Sequence, residues 1–136
     1  MRVFFDTNVW LSATLFPGLC AELLARCVEE RHEVLTTPLI RAEALAVLAE
    51  KFPQRVEATA LFDANLSVAE RTTDVPEPSD DNDARLVAAA AGAEADIFVT
   101  GDARIRGWQH VGKMRIVSPR QAWMLLFMPE QTPEQI

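Results

Sequence analysis

Two short runs, Val3-Phe4-Phe5 and Ile97-Phe98-Val99, constrain the fold more than any other feature of the chain. Each is wholly apolar, too short for a helix, and made of β-branched and aromatic residues, so each reads as a buried strand. Each then gives way to the same kind of sequence, Asp6-Thr7-Asn8 after the first and Thr100-Gly101-Asp102 after the second. Such strands alternate with helical stretches along the chain, which predicts an α/β fold with a mainly parallel sheet. In a parallel sheet the carboxyl ends of the strands share one edge, and ligands bind there. Asp6 and Asp102 are therefore expected at the same edge. An Asp after a strand is by itself an ordinary turn cap; it carries chemistry only where other carboxylates converge on it.

The remaining elements follow from periodicity and caps. Thr7 and Asn8 are N-cap types ahead of Val9-Trp10-Leu11. A helix is expected from Pro17 to about Arg31, with Leu19, Leu23, Leu24, Cys27 and Val28 on one stripe. Val34-Leu35-Thr36 is a short strand, and Thr37-Pro38 opens a helix to about Lys51. Pro53 to about Leu66 predicts a helix with Val56, Ala60, Leu61 and Ala64 on one side. Ser67 to Val75 has room for a short strand, and the prolines at 76 and 78 enforce a loop. The alanine-rich run from Ala84 to Ala91 is a buried helix stopped by Gly92, with Ser79 or Asp80 as its cap. Lys113 to Val117 forms a last strand, and Ser118 with Gln121 has capping-box spacing before a helix through Trp123, Leu126 and Phe127.

Charge and cysteine content narrow the function. The 136 residues carry a net charge of −7, and 49% are hydrophobic, as in a folded single domain. Acidity argues against coating nucleic acid through bulk charge, yet it is uneven. From Glu57 to Asp83 there are eight acids against Arg71 alone. From Ala103 to Arg120 there is no acid, against Arg104, Arg106, Lys113, Arg115 and Arg120. Cys20 and Cys27 lie seven residues apart on one helix, about 10 Å along its axis, too far for a disulfide with each other. With no signal-peptide pattern and no bilayer-length apolar run, a cytoplasmic protein without membrane association is expected.

The acids themselves are the chemical signal. Glu43 has Leu39, Ile40, Ala46 and Val47 as its helical neighbours. It is either an exposed or arginine-paired border residue or a carboxylate held at the wall of a polar site. Asp80, Asp81 and Asp83 exceed what a helix cap needs, since each extra charge repels the others, and a bound cation relieves that repulsion. An all-carboxylate group without nitrogen or sulfur ligands suits a hard divalent ion, Mg²⁺ or Mn²⁺. A phosphotransferase of the haloacid-dehalogenase type needs a second Asp where Asn8 stands, and a receiver domain needs an acidic pair before its Asp.

Four motifs in order, Phe5-Asp6-Thr7-Asn8, Arg41-Ala42-Glu43, Asp80-Asp81-Asn82-Asp83 and Val99-Thr100-Gly101-Asp102, resemble those of PIN-domain ribonucleases of the VapC toxin type. The resemblance spans about residues 1–127, leaving 128–136 as a polar tail. It implies a three-layer sandwich whose central twisted sheet has four to five strands. It carries the family's acids onto Asp6, Glu43, Asp83 and Asp102. It makes Asp6, Asp83, Asp102 and Asp80 the metal ligands, with Asn8 and Thr100 in support. Asp83 is set above Asp80 because it stands seven residues before Ala90. The implied activity is Mg²⁺-dependent endoribonucleolytic cleavage, with RNA as substrate, a cognate antitoxin as partner and a homodimer as the assembly. A housekeeping RNA-processing nuclease and a non-catalytic RNA- or protein-binding PIN fold are the alternatives. Arg104 and Arg106 are the expected RNA contacts, with Trp108 a stacking face.

Overall fold

The structure is a computed structural model that describes residues 1–75 and 81–131. Six strands form one sheet: β1 (Arg2–Phe5), β2 (Glu33–Thr36), β3 (Glu70–Arg71), β4 (Ile97–Val99), β5 (His110–Val111) and β6 (Met114–Val117). Their order is β3-β2-β1-β4-β6-β5, and every pairing is parallel except β5 with β6. The helices are α1 (Thr7–Leu15), α2 (Leu19–Glu29), α3 (Pro38–Lys51), α4 (Ala58–Leu66), α5 (Asn82–Gly92), α6 (Ala103–Arg106) and α7 (Pro119–Phe127). They flank the sheet, giving the expected α/β sandwich.

The two apolar runs are the centre of it. Val3, Phe4, Phe5, Phe98 and Val99 are fully buried, as strands covered on both faces require. Register sets Phe4 beside Phe98, and their rings stack at 5.4 Å across the β1–β4 pair. Phe5 meets Trp10 of α1 edge to face. From β1 the chain winds outward to β2 and β3, then returns to place β4 on the other side of β1. The β1–β4 boundary is therefore the topological switch point, where the loops after the two strands diverge and open a crevice.

The helix caps at α3 and α7 are as expected. Thr37 accepts from the Ile40 N–H with Pro38 in the first turn, and Ser118 and Gln121 close a full capping box. Three expectations are corrected. The sheet has six strands rather than four to five: β3, Glu70-Arg71, falls within the Ser67 to Val75 stretch that had room for a strand, while β5, His110-Val111, is a two-residue edge strand with no apolar run to announce it. The helix expected from Pro53 begins only at Ala58, and it buries Ala58 and Phe62, while Val56 is 88% exposed and Leu61 and Ala64 face solvent. Its one large apolar anchor, Phe62, sets the face. The α5 cap is Asp81, whose carboxylate accepts from the Asp83 and Ala84 N–H groups, and not Ser79 or Asp80. Residues 76–80 and 132–136, including most of the expected proline loop, Asp80 and the end of the tail, lie outside the described residues. On α2, Leu23, Leu24 and Cys27 are buried, while Leu19 and Val28 are largely exposed. Both cysteines are free, and burial pushes the Cys27 thiol up to about 12. Among the described residues no single helix is long and apolar enough to cross a membrane.

Candidate active site

Asp6 stands where β1 ends, at the switch point. Its backbone N–H donates to the Val99 carbonyl at 2.9 Å, so its position is tied to the end of β4. The side chain is 5% exposed. One carboxylate oxygen, Oδ1, accepts from the Thr7 N–H at 2.8 Å as the cap of α1, and Oδ2 accepts from the Thr100 hydroxyl at 2.7 Å. The cap reading is thus true of Asp6, and the same carboxylate also reaches the end of β4 through Thr100.

Thr100 joins the two strand ends. While its hydroxyl donates to Asp6, it accepts from the Asp102 N–H at 3.0 Å. Asp102 in turn caps α6, its Oδ1 accepting from the Arg104 N–H at 2.8 Å. Glu43 comes from α3. Its Oε1 accepts from the Thr7 hydroxyl at 2.6 Å, and its Oε2 from the Asn82 side-chain amide at 3.1 Å. These contacts turn Glu43 toward the edge that holds Asp6, and of its two sequence readings the wall of a polar site is the one the geometry matches. Thr7 therefore links two of the acids, with its backbone N–H on Asp6 and its hydroxyl on Glu43.

Asp83 lies in the first turn of α5. Its carboxylate accepts from the Arg104 guanidinium at 3.1 Å, and the same guanidinium contacts Asp81 at 2.5 Å. Arg104 also lies over the Trp108 ring, 5.2 Å from its centroid.

The electrostatics register the convergence. Asp6 is pushed up to about 6, first by burial, against the Thr100 and Thr7 hydrogen bonds, and then by the charges of Asp83 and Glu43. Asp83 is raised by burial and by Asp81 and Asp102, with Arg104 pulling the other way and Glu43 adding to the rise. Asp81, hydrogen-bonded to Arg104, is held below the usual carboxylate range. Carboxylates from four separate segments feel one another at this edge.

A family model described as PIN domain matches residues 2–104. The chain belongs to the PIN domain family. The match runs from β1 into α6 and so includes every acid named above. No curated protein matches the chain. PIN domains are generally nucleases, and they generally bind divalent metals.

The residues of this PIN domain fit such an ion in donor chemistry. The acids at the edge offer oxygen alone, the donor type that Mg²⁺ and Mn²⁺ take, and their mutual repulsion is what a cation relieves. Among the described residues no three acidic, histidine or cysteine side chains are gathered into a ready ligand group, and Arg104 is the cation at Asp83. Of the other sequence candidates, Asn8 is exposed and makes no side-chain hydrogen bond among the described residues. Arg106 is half-buried, makes no ion pair with the acids among the described residues, and lines a cleft with Arg115. Thr7 and Asn82 were missed as site residues. Both sit inside quoted motifs, but only the fold shows that α3 brings Glu43 within their reach.

Proposed function

We propose that the protein is a Mg²⁺- or Mn²⁺-dependent endoribonuclease that hydrolyses RNA phosphodiester bonds and serves as the toxin of a toxin–antitoxin pair. One observation carries the nuclease reading: a buried carboxylate, Asp6, at the switch point of a PIN fold, whose charge is opposed by Asp83 and Glu43 from two further elements. Asp6, Asp83 and Asp102 would hold the ion, together with Asp80. When bound, the ion supplies Lewis-acid chemistry: a water of lowered pKa at neutral pH and neutralisation of charge on the phosphate oxygens.

The chain's own residues do the positioning. Thr7 and Thr100 occupy one oxygen each of Asp6, so the carboxylate cannot rotate, and its remaining lone pairs are aimed by those two bonds. Thr100 fixes the Asp102 turn at the same time. Thr7 and Asn82 hold Glu43 from either oxygen, as outer partners hold a ligand or a base.

The toxin role, the antitoxin partner, the homodimer and the cytoplasmic location rest on the resemblance of the four motifs. An edge that already accepts the Arg104 guanidinium on two aspartates supports a partner that presents a basic side chain. The test is RNA cleavage by the purified chain with Mg²⁺ and with EDTA, for wild type and Asp102→Asn. Cleavage that needs the metal and is lost in Asp102→Asn is expected; equal cleavage in EDTA contradicts the reading.

A further inference from the structure

We infer that the cleft between α6 and the β5–β6 hairpin is a subsite for a backbone phosphate of the RNA. The inference rests on the nucleic-acid half of the function proposed above.

The cleft has a volume of about 240 Å³, and its polar lining is wholly of donor type or neutral: Arg106, Arg115, His110, Gln109 and Gln121 over a floor of Ile116 and Val117. Among the described residues no Asp or Glu lines it. In a chain of net charge −7 that is a departure which calls for a cause. Arg2, Arg26, Arg41, Arg55 and Arg104 each sit on a carboxylate. Among the described residues Arg106 and Arg115 do not, and neither do Arg31, Arg71, Arg85 and Arg120, but only Arg106 and Arg115 come together in one cleft.

Two donors are left for a ligand. The Arg106 Nε is buried with no hydrogen-bond partner among the described residues, although a buried unpaired donor costs stability. Gln121 is fixed by the capping box of α7, its Oε1 accepting from the Ser118 N–H at 2.9 Å. That bond commits the oxygen and leaves the amide nitrogen, which has no partner among the described residues. Two guanidinium groups and an oriented amide are the donor set that a phosphodiester takes, bidentate at the arginines.

The position relates the cleft to the acids. Val117 of its floor ends β6 beside Val99 of β4, and its carbonyl accepts from the Thr100 N–H at 2.9 Å. The hydroxyl of that same Thr100 donates to Asp6. On the other side, α6 starts at the Asp102 cap and reaches Arg106 one turn later. An RNA strand whose phosphate lies at the acidic edge therefore passes its neighbouring phosphates toward Arg106 and Arg115. Here Arg115 is set beside Arg106 as the second guanidinium of the cleft, while Arg104 lies on Asp81 and Asp83.

The test uses the full chain and a fluorescent single-stranded RNA oligonucleotide in EDTA, so that binding is read without cleavage. Affinity is followed from about 50 to 200 mM salt, roughly the range in which counterion release from phosphate contacts dominates, for wild type, Arg106→Ala, Arg115→Ala and Arg115→Lys. Each alanine variant is expected to lower the log–log salt slope by about 0.7, the single-strand value for one lost contact, and the lysine variant to retain it. If the alanine variants do not fold, Arg115→Gln against Arg115→Lys makes the same comparison. An unchanged slope in protein that binds RNA overturns the subsite and leaves the nuclease reading standing, because metal-dependent cleavage is scored separately. A reduced slope in a chain that never cleaves RNA supports the subsite while the nuclease reading falls. Inorganic phosphate shifting the His110 NMR signals where the oligonucleotide does not would make the cleft a small-anion pocket and overturn the RNA assignment.

Discussion

Asp6 concentrates the physical tension of this molecule in one side chain. Its folded pKa of about 6 lies above the unfolded value of about 3.9, so the sign of its linkage is fixed. Below about pH 4 both states carry the proton and the residue costs nothing. Between about pH 4 and 6 the unfolded chain has released a proton that the folded one keeps, and stability falls as pH rises. Above that window the full penalty remains, about 2–3 kcal/mol. Asp6→Asn should therefore be more stable than wild type at pH 7.5 by up to that amount and nearly equal to it near pH 4, as urea unfolding across pH will show. Thr100→Val acts in the opposite sense. It removes the hydroxyl that serves both Asp6 and the Asp102 N–H, and should cost about 1–3 kcal/mol and move the Asp6 titration to higher pH.

At the scale of elements, α4 is the clearest test of the packing. Phe62→Ala should cost about 3–5 kcal/mol, and Val56→Ala less than about 0.5, in thermal or denaturant unfolding. The sequence pattern alone grouped Val56 with Ala60, Leu61 and Ala64 on one side and did not single out Phe62. What was legible and what was not divides along a physical line. Val3-Phe4-Phe5 and Ile97-Phe98-Val99 announced themselves because central parallel strands are buried on both faces. The α3 and α7 caps were legible because Thr37-Pro38 and Ser118 with Gln121 act within one helical turn. Edge strand His110-Val111 was not, and Glu70-Arg71 was legible only as room for a strand within Ser67 to Val75, since their pairing comes from the neighbouring backbone and not from their side chains. The same holds at the candidate site. Acids at strand ends could be read, but the clasp of Glu43 by Thr7 and Asn82, and the claim of Asp81 and Asp83 on Arg104, depend on contacts 21 or more residues apart.

At the scale of the whole molecule, two regions of opposite charge stand out: carboxylates at the β1–β4 switch point, and a basic cleft beyond α6 that no acid lines among the described residues. That arrangement suits a substrate that is itself a polyanion and is cut with a cation at hand. It also predicts the kind of ion. Oxygen-only donors bind Mg²⁺ or Mn²⁺ exchangeably, so elemental analysis after dialysis against EDTA should find no stoichiometric zinc. Arg104→Ala should strengthen Mg²⁺ binding measured by calorimetry, since a competing guanidinium leaves Asp83. The most direct measurement is the rate of Mg²⁺-dependent cleavage of single-stranded RNA by wild type and by Asp6→Asn, both first shown to be folded. The account predicts that the variant retains its fold and loses about 100-fold or more in rate, beyond what outer partners of a metal site usually contribute. Full cleavage by Asp6→Asn would contradict it.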